Sequence, residues 1–296
     1  MTQNIETIEN ARLADETEMG TVTLKVADLD NMIKYYTHAL PLEVIAQEGD
    51  SAIIGRGDNP LVILEHAPEL KHAPRGAAGL FHTAILFESQ TALAAAVYSV
   101  AKYAPNTFTG SSDHLVSKAF YFNDPEGNGI ELYWDRDRSE WSWVHGQVEM
   151  DSLFLDPNAF LREHLTEDAI ENPVLGGASI GHVHLQVGDI KGAQKFYVDW
   201  LGFDSTVSSY PGALFVSAGG YHHHMAMNTW NSRGAGRRDD TLGLGQVDIV
   251  LPSKDDLGEV TERVKHYGVQ VADDGRTVSF EDPWANVLRL QTENDS

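Results

Sequence analysis

Three consecutive histidines, His222, His223 and His224, lie within the segment GGYHHHMAMN at positions 219–228. An imidazole can ligate a metal or exchange a proton near neutral pH. On a β-strand, successive side chains point to opposite faces, so these three histidines cannot all bind one ion. The chain has no cysteine, so any metal must be held by histidine, aspartate or glutamate. The histidine run therefore indicates chemistry only together with partners from elsewhere in the chain.

The overall composition limits the classes of function. A chain of 296 residues with 42% hydrophobic and 22% charged residues is typical of a soluble globular protein with about two domains. With 44 acidic and 21 basic residues, the formal net charge is −23, which disfavours nucleic acid as a partner. The beginning of the chain, MTQNIETIEN, lacks an apolar signal region, and no run elsewhere approaches the roughly 18 apolar residues of a membrane span. We expect a cytoplasmic protein that binds neither nucleic acid nor membranes.

Four segments of the chain share one pattern: a strand, a short acidic turn, a helix and three further strands. Their first strands, GTVTLKV, FHTAILF, GHVHLQV and GQVDIVL, alternate with the period of two that half-buried strands show. A unit that recurs in this way predicts four βαβββ modules and an α+β fold. The predicted module bounds are 19–69, 79–136, 179–230 and 242–291.

Residues 137–178 interrupt this repeat. We expect an N-terminal domain at 1–136 and a C-terminal domain at 179–296, joined by this long connection. A connection of this length is uncommon unless it carries a function or spans a distance.

The four modules resemble the vicinal oxygen chelate superfamily of glyoxalases and extradiol dioxygenases, and most closely its catechol-2,3-dioxygenase branch. The resemblance covers nearly the whole chain. It implies that paired βαβββ modules curl into glyoxalase-like half-barrels, each able to cup a metal. It also implies that metal ligands come from the first and last strands of a module.

The first-strand ligand position can be compared across the four modules. Only the second and third modules have an imidazole there, because the aligned residues are Thr21, His82, His182 and Gln246. His184 lies two residues after His182 on the same strand face, which makes it a competing ligand or a substrate-binding residue.

The last-strand position is compared through the segments DPEGNGIELYW and DPWANVLRLQ, which align Glu131 with Arg289. The resemblance thus implies a site of His82, Glu131 and His182. Two histidines and one carboxylate form the facial triad of non-haem Fe(II) oxygenases, which leaves three coordination positions open. The implied cofactor is Fe(II), with Mn(II) as the alternative, and O2 is the implied co-substrate.

Other members of the site follow from the same resemblance. It places the histidine run on the last strand of the third module and assigns the acid–base role to His223, with His224 as the alternative. Tyr121 lies ten residues before Glu131, as a catalytic tyrosine of the family does. His114 is the nearest upstream histidine and is expected to bind substrate, as are His184 and His224.

The ligand set also predicts how the modules pair. In the larger two-domain extradiol enzymes the ligands come from the third and fourth modules, whereas here they come from the second and third. We therefore expect the second module to pair with the third, and the first with the fourth. Adjacent pairing would separate His82 and Glu131 from His182.

The function implied is that of an extradiol ring-cleaving dioxygenase in aromatic hydrocarbon catabolism. It would open catechol or a substituted catechol with O2 to a muconic semialdehyde. The alternatives are a glyoxalase-like metal-dependent isomerase or epimerase, and a non-catalytic protein of the same superfamily that binds small molecules. The expected partner is a small aromatic diol. The oligomeric state is left open between a monomer and a homo-oligomer.

Overall fold

The computed structural model of the chain describes residues 11–174 and 176–292. The strands formed by these residues are β1 (Glu18–Val26), β2 (Glu43–Glu48), β3 (Ser51–Arg56), β4 (Asn59–His66), β5 (Gly79–Phe87), β6 (Phe108–Asp113), β7 (Ser117–Asn123), β8 (Gly129–Asp135), β9 (Trp143–Val144), β10 (Gln147–Val148), β11 (Leu153–Phe154), β12 (Ala178–Gln186), β13 (Asp204–Val207), β14 (Ala213–Ser217), β15 (Met225–Asn228), β16 (Gly243–Leu251), β17 (Val271–Asp273), β18 (Val278–Glu281) and β19 (Val287–Thr292).

The helices connect these strands within each module and across the long connection. They are α1 (Leu29–Lys34), α2 (Gln90–Tyr103), α3 (Pro157–His164), α4 (Glu167–Glu171), α5 (Ile190–Ala193) and α6 (Lys254–His266). Helices α1 and α5 continue into π-helical turns at Tyr35–Ala39 and Gln194–Trp200, and short 3-10 turns lie at Pro105–Thr107 and Arg138–Glu140. The four predicted βαβββ modules and the α+β class are confirmed.

Two curled mixed sheets carry the modules. The order β11-β6-β7-β8-β5-β12-β15-β14-β13 joins the second and third modules through the antiparallel pair of β5 and β12. The order β17-β18-β19-β16-β1-β4-β3-β2 joins the fourth and first modules through β1 and β16. Each sheet thus takes one module from either half of the sequence. The division into domains at 1–136 and 179–296 stays a prediction.

One apolar core connects the two sheets and the helices packed on them. Leu24 of β1, Leu132 of β8 and Val264 of α6 are buried members of the same cluster. Helix α2 begins at Ser89, whose side chain accepts a hydrogen bond from the backbone of Ala92 at 3.1 Å. Such a cap satisfies one of the free N–H groups at a helix start.

A buried aspartate just before the last strand of a module links the two sheets. Asp124 in the second module accepts a hydrogen bond from Tyr36 of the first module at 3.3 Å. In the same way, Asp282 in the fourth module accepts one from Tyr197 of the third at 2.9 Å. Both tyrosines lie on the π-helical turns into which α1 and α5 continue.

Asp282→Ala should destabilise the protein by about 3 kcal/mol or more, because it leaves several buried donors without an acceptor. Besides Tyr197, the backbones of Trp284 and Asn286 each donate to Asp282 at 2.8 Å. Urea unfolding measures the change, with Asp199→Ala at an exposed position as the control. Equal stability of the two variants would contradict this account of the link.

The connection at 137–178 packs along the second module. Strand β11 extends the nine-stranded sheet by pairing with β6, and the ring of Phe160 on α3 lies 5.0 Å from that of Phe120. Within the described part of the chain, no helix has the length and apolar character needed to cross a membrane.

The histidine run lies before β15, so its expected position on that strand is wrong. Gly219 and Gly220 have φ angles of 58° and 66°, a conformation that favours glycine, and they form a tight turn. His222, His223 and His224 follow this turn and are buried, with exposed fractions of 0%, 5% and 8%.

Candidate metal centre

The register of three central strands brings the predicted ligands together. Ala84 on β5 lies opposite His182 on β12 and opposite Glu131 on β8. His82 precedes Ala84 by two residues and therefore shares its face of the sheet. Because Ala84 has only a methyl side chain, it leaves room for the three larger side chains to converge above it.

The ligand atoms of these three residues lie close enough to share one ion. His82 Nε2 is 3.0 Å and His182 Nε2 is 3.2 Å from Glu131 Oε2, and all three ligand atoms are within 4.8 Å of one another. All three side chains are buried. Within residues 11–174 and 176–292, this is the one cluster of three His, Asp or Glu residues with such spacing.

The donor set and its hydrogen bonding fit a divalent metal. His82 Nε2 is buried but lacks hydrogen-bond geometry to any described residue, although it lies near the Glu131 carboxylate. A buried polar atom without a partner is costly, and a metal between the three ligands would satisfy it. Two imidazoles and one carboxylate suit Fe(II), Mn(II) and similar ions.

The protonation states also favour metal binding. Burial by itself would raise the pKa of Glu131, but its contacts with His182 and His82 hold that pKa well below its usual range. Burial lowers the pKa of His182 to about 4. At neutral pH the carboxylate is therefore ionised and the imidazole of His182 neutral, which are the forms that bind metals.

The corresponding position in the other half-barrel is filled by an ion pair. Asp248 is fully buried and accepts hydrogen bonds from Arg289 Nε at 2.9 Å, Thr21 Oγ1 at 2.6 Å and Gln246 Nε2 at 2.7 Å. The residues aligned with the ligands thus bind an internal carboxylate instead. This ion pair explains why the half-barrel of the first and fourth modules has no comparable cluster of metal ligands among the described residues.

A cavity of about 470 Å³ opens beside the three ligands. Its volume lies in the range of small-molecule sites, and aromatic rings form much of its wall. The long connection contributes Met150 and Ser152 to this wall. The aromatic residues that line the cavity include Phe81, Phe122, Tyr210, Phe215 and Trp230.

Tyr121 and His114 lie together on one side of the cavity. Tyr121 on β7 is opposite Glu131, and its hydroxyl lies 2.6 Å from His114 Nε2. His114 Nδ1 lies 2.7 Å from the carbonyl oxygen of Asp151, which can only accept, so Nδ1 carries the proton and Nε2 accepts from Tyr121. Burial raises the pKa of Tyr121 well above its usual value, so the phenol stays a neutral donor.

The structure separates the two candidate acid–base histidines. The ring of His223 lines the cavity with its centroid 4.0 Å from that of His182. Burial and neighbouring imidazoles lower its pKa well below the usual value, so it is neutral. His224 points the other way: its Nδ1 accepts a hydrogen bond from the backbone N–H of Ala218 at 3.2 Å, and its ring packs on Tyr221.

His184 belongs to the cavity wall. It lies opposite His82 in the sheet, but its Nε2 is 3.0 Å from the side-chain amide of Asn228, which donates a hydrogen bond to it. Its ring contacts Phe81 and Trp230, with centroid distances of 4.9 and 5.5 Å. His184 therefore lies beside the cluster of His82, Glu131 and His182 and faces the cavity.

Comparison with known proteins identifies the family. The model of the Glyoxalase/Bleomycin resistance protein/Dioxygenase superfamily matches residues 18–132 and 179–290. The chain belongs to this superfamily. It is also 36% identical over 275 residues to a catechol-2,3-dioxygenase from Bacillus subtilis (strain 168), covering 91% of this chain and 95% of the relative. These matches confirm the predicted family and the prediction of a dioxygenase-like oxidoreductase.

Solved structures of the superfamily share the fold at low sequence identity. A putative dioxygenase from Bacillus subtilis subsp. subtilis str. 168 superposes with a TM-score of 0.67 at 13% identity, covering 96% of this chain and 86% of that one. Glyoxalase I from Zea mays superposes with a TM-score of 0.59 at 17% identity, covering 95% and 94%. These likenesses show the fold of the superfamily.

Sequence reasoning about the superfamily missed Asp135 and gave no role to His222. Asp135 Oδ1 lies 2.9 Å from His222 Nε2, and His222 in turn contacts His223, which lines the cavity. Glu131, Tyr133 and Asp135 alternate along β8 and so share one face. That spacing is the signal in the sequence that could have placed Asp135 near the site.

The protein should lose stability in acid because His224 is buried in its neutral form. Burial lowers the pKa of His224 to about 3, so the unfolded chain takes up a proton near pH 6.5 that the folded chain does not bind until much lower pH. Stability should therefore fall as pH drops below 6.5. Between pH 7 and pH 5, the wild type should lose about 2 kcal/mol more than His224→Asn in the same metal state. An equal loss in both proteins, measured by urea unfolding, would contradict the buried neutral state.

Proposed function

We propose that this protein is an extradiol ring-cleaving dioxygenase that opens catechol or a substituted catechol to a muconic semialdehyde. The observation that carries the proposal is the convergence of His82, Glu131 and His182 within 4.8 Å at the wall of an aromatic cavity. The similarity to a catechol-2,3-dioxygenase along 91% of the chain supports the same reaction and an aromatic diol as substrate.

Fe(II) is the proposed cofactor, with Mn(II) as the alternative. A metal held by these three residues would keep three coordination positions open, enough to chelate both oxygens of the diol and to activate O2.

His223 is the proposed acid–base residue. It is neutral and faces the cavity, so it can accept a proton from a diol hydroxyl and return it later. Tyr121 and His114 on the other side offer a polar edge that can orient the substrate. The aromatic rings of Phe215 and Trp230 line the cavity and provide flat apolar surfaces for a ring.

In the test, the full chain is loaded anaerobically with Fe(II) or, in a separate sample, with Mn(II). It is then mixed with catechol and O2. Extradiol cleavage predicts O2 uptake equal to the catechol consumed and a yellow semialdehyde. A colourless dicarboxylate would mean cleavage between the hydroxyls. An isomerase or a binding protein would take up no O2, and either result would overturn the proposal.

A further inference from the structure

A hydrogen-bonded chain of side chains lies behind His223. His222 Nδ1 is 2.7 Å from His223 Nδ1, and His222 Nε2 is 2.9 Å from Asp135 Oδ1. His222 is fully buried between the rings of Tyr221 and Trp141, whose centroids lie 4.1 and 5.2 Å away.

The partners in this chain assign its protons. The hydroxyl of Tyr221 donates to Asp135 Oδ2 at 2.7 Å, and the Asp135 carboxylate can only accept. When His222 carries a single ring proton, that proton lies on Nε2 and is donated to Asp135. The Nδ1 atom of His222 then carries a lone pair. The short contact between the two Nδ1 atoms therefore requires His223 to carry a proton on its Nδ1. The lone pair of His223 is left on Nε2.

We infer that Asp135 and His222 are positioning residues that hold His223 in the single tautomer whose Nε2 can accept a proton from substrate. The inference rests on the proposed function, in which His223 is the acid–base residue. In the opposite tautomer, Nε2 would carry a hydrogen and could not act as the base. A carboxylate that fixes the tautomer of a catalytic histidine has the same role in the Ser-His-Asp triad, whereas here an imidazole lies between them.

Strand β12, which carries the ligand His182, also makes room for this network. The hydroxyl of Tyr133 lies 2.7 Å from that of Tyr221 and so extends the chain by one member. A Cβ atom on Gly181, next to the ligand His182, would lie only 1.6 Å from the hydroxyl of Tyr133. Glycine at position 181 is therefore required for Tyr133, Tyr221 and Asp135 to keep their arrangement.

The tautomer can be measured without turnover. We expect 15N NMR of the full chain, labelled on histidine and freed of metal by chelation, to show His223 protonated on Nδ1 and His222 on Nε2. The variants His222→Gln and His223→Gln assign the signals, and His266→Gln at an exposed position is the control. A proton on Nε2 of His223 in the wild type would overturn the inference, whatever the activity of the protein.

Kinetics test the consequence. His222→Leu removes the acceptor for the His223 proton, so kcat should fall by about 10²-fold or more, approaching the loss expected for His223→Ala. The KM for catechol and the metal content should change little. His222→Asn places an amide oxygen near the position of Nδ1, and it should restore kcat to within about tenfold of the wild type. Equal losses in both variants would show a merely structural role for His222 and would overturn the inference. If the wild type cleaves no diol, the proposed function fails, and the NMR result still decides the tautomer.

Discussion

Alanine at His82, Glu131 or His182 should abolish stoichiometric metal binding and ring cleavage together. The three ligand atoms lie within 4.8 Å of one another, and no other described cluster of His, Asp and Glu could replace a lost member. Loss of a residue that only supports a ligand costs about 10- to 100-fold in metal affinity, so loss of a ligand should cost at least that much. Metal analysis after anaerobic loading and gel filtration measures the change.

The matched controls are Thr21→Ala and Gln246→Ala. These residues occupy the aligned positions in the other half-barrel, where they bind Asp248. Both variants should bind as much metal as the wild type. If Glu131→Ala kept its metal and its activity, the proposed triad would be wrong.

His223→Ala should have the opposite pattern, with metal and catechol bound but turnover slowed by about 10²- to 10⁴-fold. The reason is that His223 faces the cavity and contacts His182 by ring packing, without being one of the three ligands. Single-turnover kinetics at saturating catechol measure the loss separately from binding.

His224→Asn is the comparison for His223→Ala. Because the Nδ1 atom of His224 is occupied by the backbone of Ala218, the variant should affect stability more than turnover per bound metal. If His224→Asn lost turnover and His223→Ala did not, the assignment of the acid–base residue would be reversed.

Much of the fold follows from local patterns in the sequence. Strands such as GHVHLQV alternate with period two because one face of the sheet packs on the core, and four such strands, each followed by a helix and three further strands, imply four modules. The ligands were also accessible, because His82 and His182 occupy equivalent positions in two modules. Their meeting depends on the pairing of β5 with β12, which the ligand set itself required.

Other features depend on contacts that no local pattern contains. The histidine run lies between a turn at Gly219 and Gly220, which have positive φ angles, and the start of β15, and an alternation rule cannot anticipate that turn. The partnership of Asp135 with His222 joins residues 87 positions apart. The internal ion pair of Asp248 and Arg289 likewise becomes visible only when β16 and β19 lie side by side.

One metal per chain, held by the second and third modules, should perform extradiol cleavage. Titration of the metal-free full chain with Fe(II) under anaerobic conditions, followed by catechol and O2, tests it most directly. We expect the rate of semialdehyde formation to rise linearly with Fe(II) and to level off at about one equivalent per chain, with no activity in Glu131→Ala. A plateau at about two equivalents, or wild-type activity in Glu131→Ala, would contradict the account.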